Sequence, residues 1–321
     1  MKRKSLAFTL RMGLSAGILY LLLSRLDYGQ LRYLLPNLVV PFFLLGFTLF
    51  LIDRGLMSYR WQVLLKSKGA GVPFGEIVRI YFMTSFLGMF VPSSVAPDAM
   101  RAYLASKYGC SAAIAMTSVF VDRFIGFLTL AAVALGSCGV LAMKGESELL
   151  SAPMVILILA PFAALLVWLF LHRFMVGILR RLAGFPYVSR IHGVLQDFYE
   201  SMVSYWDHGS DLLRITALCF VSHLLFIVTV YLMTLSLNLS VSMVHLCIFV
   251  PLVSFVTMVP VSVGGLGIQE GAYVYLLMRG GLTVQEAFAV ALLVRVVTTL
   301  GCLPGGVLYL TRGFEVRRAM E

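Results

Sequence analysis

The feature that most constrains this chain is a series of apolar runs, each long enough to cross a lipid bilayer. A transmembrane helix needs about 20 apolar residues to cover roughly 30 Å of hydrocarbon. Hydrophobic residues make up 60% of the chain and charged residues only 12%, whereas roughly a quarter of a soluble chain is charged. We therefore expect a polytopic membrane protein. The predicted spans are 5–24, 38–65, 112–143, 152–171, 212–236 and 284–310.

The apolar runs also select the type of secondary structure. In lipid the backbone must satisfy its own hydrogen bonds, so only helices or a closed barrel can span. Barrel strands alternate in hydrophobicity over about ten residues, and these runs are longer and unbroken. The sequence predicts an all-α integral membrane protein that forms a single domain over residues 1–321. The segment near the N-terminus is interpreted as a retained first span, because no small-x-small cleavage site follows it.

Two polar interruptions break the apolar pattern in the same frame. The first, from Met89, reads MFVPSSVAPDAMRAY, and the second, from Met258, reads MVPVSVGGLGIQEGAY. Each ends an apolar stretch of about 16 residues, 76–91 or 243–259, which as a helix is roughly 24 Å long and too short to cross comfortably. Proline ends a helix and small residues let the chain reverse, so we expect two re-entrant helical hairpins. The alignment pairs Pro92 with Pro260, Ser94 with Ser262 and Val95 with Val263, and it places Tyr103 near Tyr273.

The two hairpins are predicted to be related by an inversion. Three predicted spans separate them, and an odd number makes the two copies face opposite sides of the membrane. Asp122-Arg123 and Arg295 then lie at a similar depth in the spans that follow. The sequence thus predicts six spans plus two re-entrant hairpins in an inverted-topology repeat, with repeat one at about 76–143 and repeat two at about 243–312. The alternative is that each proline merely kinks an ordinary span.

The formal net charge of +10 is interpreted through membrane topology. Basic residues gather on the cytoplasmic side of membrane proteins, so no nucleic-acid partner is expected. With re-entrant hairpins, most basic clusters fall on the side of the N-terminus, and both termini are predicted to be cytoplasmic. A connector at about 186–208 carries an apolar stripe at helical spacing. It is either an interfacial helix or a helix packed on the bundle.

Charged residues at membrane depth are the candidate site. Each costs about 2.5–3.5 kcal/mol at the centre of a span, so such residues are usually paired or functional. The second arms of the hairpins are expected to begin near Asp98 and Gly267, where helix N-termini attract phosphate or carboxylate. Arginine also binds phosphate with two nitrogens at once, and the arginines slightly outnumber the acids. The predicted substrate-binding residues are Asp53, Arg60, Ser94, Asp98, Arg101, Asp122, Arg123, Ser262, Gly264, Gly265, Glu270 and Arg295.

The alternative for these charges is internal ion pairing that only holds helices together. Asp53 and Arg60 lie seven residues apart and therefore on one helix face, and Asp122 is expected to pair with an arginine from elsewhere. No cofactor or metal is predicted. The five cysteines lack metal-ligand spacing, and the chain has no Walker-type phosphate loop.

Several motifs resemble the flippase-like family typified by the membrane domain of lysylphosphatidylglycerol synthase. They are RWQVLLKSKG, the Pro-x-Ser and Asp-x-x-Arg of the first hairpin, DRFIG, and VPVSVGGLGIQEGA. The resemblance covers nearly the whole chain from Arg60 to Gly306. One departure is Ala96-Pro97, where the family usually has Gly-Gly. The resemblance implies a lipid flippase or transporter fold in the cytoplasmic membrane of a prokaryote, often acting on aminoacylated or glycosylated lipids. Only about ten residues follow the last predicted span, so we expect no synthase activity.

Three functions are weighed on this basis. The leading hypothesis is a lipid flippase that moves an anionic phospholipid, or a polyprenyl-phosphate-linked glycolipid, between leaflets without catalysis. The second is an integral-membrane transferase for lipid-linked sugars, with Asp53, Asp98 or Glu270 as base. The third is an accessory membrane subunit that transports nothing. The expected partner is a membrane lipid, and the oligomeric state is left open.

Overall fold

The computed structural model describes residues 36–91, 95–145, 151–164, 200–205, 209–259 and 262–318, together with the single positions 17, 20, 24 and 167. All regular elements in these residues are α-helices. They are α1 Val40–Lys66, α2 Phe74–Gly88, α3 Ala96–Ser106, α4 Ala112–Met143, α5 Ala152–Ala164, α6 Gly209–Ser236, α7 Met243–Met258, α8 Ile268–Arg279 and α9 Val284–Arg318.

Four of these helices are long and apolar enough to cross a membrane. They are α1, α4, α6 and the part of α9 that runs over Val284–Thr311, and they confirm apolar helices at four of the six predicted spans. The span predicted at 5–24 lies outside the described residues apart from three single positions. The span at 152–171 is described as a continuous helix only as far as Ala164. The arrangement of six spans and two re-entrant hairpins stays a prediction.

The distribution of side chains is that of a protein whose surroundings are lipid. Large apolar residues such as Leu44, Ile52 and Phe120 are exposed on the outer faces of the spans. Charged residues are buried between the helices: Asp53 and Asp122 are each 1% exposed. Soluble proteins bury charges rarely and avoid large exposed apolar patches. The bundle thus places its polar groups inside and its apolar groups outside.

Helices α1 and α6 pack antiparallel along their whole length. At one end, the Val39 amide donates to the Ser236 carbonyl at 2.7 Å. At the other end, the Arg214 guanidinium donates to the Tyr59 hydroxyl. Between these ends lies Gly46, where a Cβ atom would press against side chains of α6. A small residue at this point lets two helix backbones approach closely.

The first break forms a helical hairpin whose two ends meet. Tyr108, which follows α3, donates a hydrogen bond of 2.5 Å to Glu76 in the first turn of α2. Arg79 of α2 donates to the same hydroxyl at 2.5 Å. Burial and the hydrogen bond to Glu76 raise the pKa of Tyr108, so the hydroxyl keeps the proton that it donates. This contact holds the start of α2 beside the end of α3, as the hairpin prediction requires.

The second break has the same form. Gly280, directly after α8, lies against Phe249 of α7 and Val241 just before it. The second arms begin at Ala96 and Ile268, which confirms the predicted starts. The longer arms have 15 and 16 residues, or about 22–24 Å as helix. The paired prolines, 92 and 260, lie outside the described residues, and the depth of the hairpins in a membrane stays a prediction.

The packing of the helices is unchanged when the two halves of the chain are exchanged. The exchange maps α1–α4 onto α6–α9. The arm α2 packs on α9 and α7 packs on α4, while α3 packs on α4 and α8 packs on α9. The pair α1 and α6 maps onto itself, and because these helices are antiparallel, the exchange reverses the chain direction along them. This is the symmetry expected of the predicted inverted repeat.

Glycines let α9 and α2 approach closely. A Cβ atom at Gly305 would collide with the Phe82 carbonyl, and one at Gly306 would lie 2.8 Å from the Phe86 ring. Helix α9 continues through Pro304. The glycines after this proline therefore serve close packing between the two halves of the bundle.

The end of the predicted connector packs on the bundle. Within residues 200–205, Met202 and Tyr205 are buried, and the Tyr205 hydroxyl donates to the Leu64 carbonyl at 3.0 Å. This favours a packed helix for this part of the connector. The remainder, 186–199 and 206–208, lies outside the described residues.

Candidate functional site

An ion pair joins the first hairpin to the span that follows it. Asp98 is the third residue of α3 and Arg123 is the twelfth residue of α4. The guanidinium binds the carboxylate with two nitrogens, Nε at 2.8 Å from Oδ2 and Nη2 at 3.0 Å from Oδ1. The Arg123 side chain is 47% exposed, and that of Asp98 is 17% exposed. This pair is the accessible end of a longer chain of charges.

The chain of charges continues into the bundle in alternating sign. Arg101 Nη2 lies 3.9 Å from Asp98 Oδ1 and 3.4 Å from Asp122 Oδ2. Arg60 Nε donates to Asp122 Oδ1 at 2.6 Å. The side chains of Arg60, Arg101 and Asp122 are at most 4% exposed. Three arginines face two aspartates, so the cluster carries a net charge of +1.

Two aromatic rings hold the central arginine in place. The Arg101 guanidinium lies 4.7 Å from the centroid of the Trp61 ring and 5.3 Å from that of Tyr81. The indole N–H of Trp61 donates to the Ser118 hydroxyl at 3.0 Å, which fixes the ring. Sequence reasoning missed both aromatic residues. The available signal was a tryptophan directly after Arg60, because rings stabilise weakly hydrated cations.

The cluster also contains hydrogen-bond donors that are not in use. Arg60 Nη1 and Arg101 Nε are buried and have no hydrogen-bond partner among the described residues. A buried donor left unsatisfied costs about 1–3 kcal/mol, and more when it is charged. Together with the net positive charge, these donors favour an anion or water as an additional component of the site.

The second hairpin carries an equivalent ion pair. Glu270 is the third residue of α8 and Arg295 is the twelfth residue of α9. Arg295 Nε donates to Glu270 Oε1 at 2.6 Å, and Glu270 Oε2 accepts from the Gly267 amide at 2.8 Å. The other two Arg295 nitrogens donate to the carbonyls of Gly264 and Gly265 at 3.0 and 3.1 Å. Here every guanidinium nitrogen has a partner.

The two pairs occupy the same register. Carboxylate and arginine are 25 residues apart in both, and one shift of 172 residues (270 − 98 and 295 − 123) relates them. The same shift relates Tyr103 to Tyr275, each of which has a cation 5.0 Å from its ring. The predicted match of Tyr103 to Tyr273 is therefore corrected by two residues. The sequence alignment was anchored on the prolines, and the shift changes within the turns.

The same register shows how the halves differ. The positions that correspond to Arg101 and Asp122 are Tyr273 and Val294, both of them buried. The second half therefore lacks the inner charges of the first. Its single pair is neutral, whereas the first cluster is positive.

The tips of the hairpins touch each other. A Cβ atom at Gly264 would run into the Met89 carbonyl at the end of α2. Gly264 and Gly265 have φ of 57° and 73°, the left-handed region that glycine adopts freely. Ser262 is buried beside them, and the matching Ser94 lies outside the described residues.

The turn of the first hairpin is built differently, as the departure from Gly-Gly suggested. Val95 precedes α3 with φ of −91°, and Pro97 lies in the first turn of that helix. A Cβ atom at Gly88 would be 2.6 Å from Pro97 Cγ. The proline ring thus packs on the first arm, and the described part of this turn contains no left-handed glycine.

Asp53 lies apart from both clusters, which corrects one expectation. It does not pair with Arg60. Its carboxylate binds the neighbouring Arg54 at 2.6 Å and accepts a hydrogen bond from Ser222 of α6. Seven residues separate Asp53 and Arg60 by about 10 Å along the helix, so each finds a partner at its own height. The expectation that Asp122 pairs with a distant arginine is met, and one of its partners is Arg60.

These features define a multi-pass α-helical membrane protein with charged groups buried between two similar halves. Residues 8–306 match the family described as the lysylphosphatidylglycerol synthase TM region. The chain belongs to this family, which confirms the resemblance predicted from its motifs. A search of curated proteins finds no significant match.

Proposed function

We propose that the protein is a lipid flippase. It moves an anionic phospholipid, or a polyprenyl-phosphate-linked glycolipid, between leaflets while the acyl chains stay in the bilayer. The observation that carries the proposal is the matched pair of carboxylate–arginine contacts, one behind each hairpin turn, with the two hairpin tips in contact between them. The family of lysylphosphatidylglycerol synthase membrane regions, named after a lipid-modifying protein, supports a lipid as the partner.

The charge of the first cluster supports an anionic headgroup. Arg123 presents its planar fork at the accessible end of a cluster with net charge +1. Such a fork binds phosphate oxygens with two nitrogens. A lipid phosphate would neutralise the cluster, whereas a cationic headgroup would add to its charge. The site therefore fits phosphate better than amine.

The symmetry of the packing supports transport. Transporters with inverted repeats bind their substrate where the two repeats meet and open alternately to the two sides. Both requirements have a counterpart here, in the touching hairpin tips and in the exchange symmetry of the helices. Exposed basic residues at one end of the bundle, Lys66, Lys107 and Arg214, support a cytoplasmic location for that end.

The test is leaflet exchange in reconstituted liposomes. The rate is measured for a fluorescent phosphatidylglycerol, and separately for a polyprenyl phosphate, with fluorescent phosphatidylcholine as the zwitterionic comparison. We expect faster exchange of the anionic lipids than in protein-free liposomes. Arg123→Gln should slow this exchange at least about tenfold, because the loss of one charge-assisted hydrogen bond of about 1.5–3 kcal/mol corresponds to that factor.

The matched control for this test is Lys144→Gln. Lys144 is an exposed cation directly after α4, outside the cluster, and its variant should exchange lipid like the unmodified protein. Exchange no faster than in protein-free liposomes would overturn the proposed function. Full activity of Arg123→Gln would overturn the proposed site.

We propose no catalysis at these carboxylates. Asp98, Glu270 and Asp53 each bind an arginine in the present arrangement, so none is free to act as a base. Purified protein given a radiolabelled lipid-linked sugar and an acceptor lipid should transfer no label. Transfer that is abolished by Asp98→Asn or Glu270→Gln would instead establish a transferase.

A further inference from the structure

The two hairpins differ in how many partners their carboxylates have. Asp98 Oδ1 lies 3.0 Å from Arg123 Nη2 and 3.9 Å from Arg101 Nη2. Glu270 lies beside one arginine, Arg295, because the position corresponding to Arg101 is a tyrosine. Of the two hairpin carboxylates, Asp98 and Glu270, only Asp98 therefore has a second cation within ion-pair distance among the described residues.

We propose that Asp98 is an internal counter-ion that occupies the phosphate-binding position on Arg123. When a phosphate group of the ligand binds Arg123, Asp98 moves to Arg101. The identity of this ligand as a lipid headgroup rests on the proposed function; the exchange of counter-ions itself requires only a phosphate monoester, phosphodiester or free phosphate.

The surroundings of Arg101 favour movement of the carboxylate rather than of the arginine. The guanidinium is held by the Trp61 and Tyr81 rings and by Asp122, and its side chain is 4% exposed. Arg101 Nε is buried without a partner among the described residues. When the Asp98 carboxylate moves, it therefore reaches a guanidinium that is held in place and has an unused hydrogen-bond donor.

The balance of charges permits this exchange at low cost. Before binding, the cluster of three arginines and two aspartates carries +1. A singly charged phosphodiester on Arg123 brings the total to zero, and Asp98 stays paired because Arg101 replaces Arg123. No charge is left alone in a site where an unpaired buried ion is expensive. The accessible position of Arg123, 47% exposed, gives the ligand a route to the cluster.

The second hairpin lacks the means for such an exchange. Arg295 is engaged by Glu270 and by two carbonyls of the turn, and Glu270 also accepts from the Gly267 amide. Both side chains are therefore positioning residues that fix the glycine turn. The phosphate-binding half of the site is the first hairpin.

The test measures binding of soluble probes to the purified full-length protein by calorimetry. The probes are inorganic phosphate and dihexanoyl-phosphatidylglycerol, with dihexanoylglycerol, which carries no phosphate, as the control. Asp98→Asn removes the internal competitor, so affinity for an anionic probe should rise about 5–10-fold, as when a binding-competent state is released. Glu270→Gln, the matched change in the other hairpin, should give no such gain. Unchanged or weaker binding by folded Asp98→Asn overturns the proposal.

A double-mutant cycle tests the role of Arg101 separately. In the unmodified protein, Arg101→Gln removes the place to which Asp98 moves, so affinity for the anionic probe should fall about 3–10-fold. In the Asp98→Asn background the same change should have a clearly smaller effect, limited to the loss of one positive charge, because there is no carboxylate to receive. A merely structural or purely electrostatic role for Arg101 would weaken binding equally in both backgrounds. If Asp98→Asn does not fold, the test rests on Arg101→Gln: weaker binding of the phosphate-containing probes, with binding of dihexanoylglycerol unchanged, supports the proposal, and unchanged binding of the phosphate-containing probes overturns it.

The outcomes separate this inference from the proposed function. Tighter anion binding by Asp98→Asn without any leaflet exchange would support the counter-ion role of Asp98 and contradict the proposed transport function. Leaflet exchange by the unmodified protein, with no gain in anion affinity in Asp98→Asn, would support the transport function and overturn the counter-ion role of Asp98. A gain for both probes supports a lipid headgroup as the ligand, and a gain for inorganic phosphate alone supports the counter-ion with free phosphate as the ligand.

Discussion

At the scale of the residue, Asp122 is the charge on which the inner cluster depends. Its carboxylate is 2.6 Å from Arg60 and 3.4 Å from Arg101, and both arginines are almost completely buried. Removal of one partner of a buried ion pair leaves an uncompensated charge. Asp98 also lies 3.9 Å from Arg101, but Asp122 is the only carboxylate of the described residues within ion-pair distance of Arg60.

The corresponding prediction concerns stability. Asp122→Asn should lower the free energy of unfolding by about 3–5 kcal/mol, the usual cost of breaking a buried pair. Asp53→Asn is the matched control, because that residue is equally buried but pairs with one arginine, Arg54, whose side chain is 20% exposed. Unfolding of both variants is followed by tryptophan fluorescence in detergent. Equal losses in the two variants would contradict the central role of Asp122.

Residue types at membrane depth were predictable, but most of their partners were not. An arginine in an apolar run is a candidate site residue from sequence alone, and the members of the inner cluster were all found in this way. The pairing depends on which neighbouring helix lies at each height. Asp53 faces α6 and Arg60 faces α4, although both lie on the same helix, and seven-residue spacing cannot distinguish these neighbours.

At the scale of the element, the contact between hairpin tips depends on one glycine. Gly264 combines a left-handed backbone with direct contact to the Met89 carbonyl. A side chain at this position would both strain the turn and push the two hairpins apart. The contact involves backbone on the opposite side, so a change of the Met89 side chain cannot relieve it.

We therefore expect Gly264→Ala to destabilise the protein by about 1–3 kcal/mol, the cost of a non-glycine residue held in a rarely populated backbone region, and more where the collision persists. Gly136→Ala is the control, since Gly136 is exposed within α4 and nothing lies near its missing Cβ. That change should stabilise the helix by up to about 1 kcal/mol. Thermal unfolding of the two variants checks both signs. A stabilised Gly264→Ala protein would show that the tips do not press on each other.

The hairpins could be predicted because each leaves two signals, a proline-containing break and an apolar arm too short to cross. Their internal ion pairs were missed as pairs. Whether Asp98 reaches Arg123 depends on the residue at which α3 begins, since one residue turns a side chain by about 100° around the helix. The proline in the first turn and the glycines in the second set these starting points in different ways.

At the scale of the whole molecule, the contacts assign loops to two ends. The end of α1 lies beside the start of α6, and the first hairpin opens toward the same end because Glu76 and Tyr108 meet there. The second hairpin opens toward the other end, where Val39 and Ser236 meet.

Cysteine labelling can test whether these hairpins are re-entrant. Single cysteines are introduced at exposed positions in loops or at helix ends in a variant lacking the five native cysteines, and vesicles of both orientations are treated with an impermeant maleimide. Lys66→Cys and Lys107→Cys, which flank the first hairpin, should react from the cytoplasmic side. Asn238→Cys and Arg279→Cys, which flank the second, should react from the opposite side. If the two positions of one pair reacted from opposite sides, the segment between them would cross the membrane completely.

Composition alone predicted the class of the molecule, because a chain with so few charges cannot cover a surface in water. The exchange symmetry was predictable in outline from two repeated motifs. The central antiparallel pair of α1 and α6 was not, since these helices share no motif that marks them as equivalent. Their contact depends on complementary shape, as at Gly46, where a Cβ atom would press against Met233 and Leu232 of α6.

The common register of the two ion pairs implies that insertions and deletions are unevenly tolerated. One residue added among the first eleven positions of α4 or α9 would rotate Arg123 or Arg295 by about 100° away from its carboxylate. The loop that precedes either helix can absorb the same addition without turning that helix. In this protein, insertions and deletions should therefore be tolerated poorly in the first three turns of α4 and α9 and well in the loops that precede these helices.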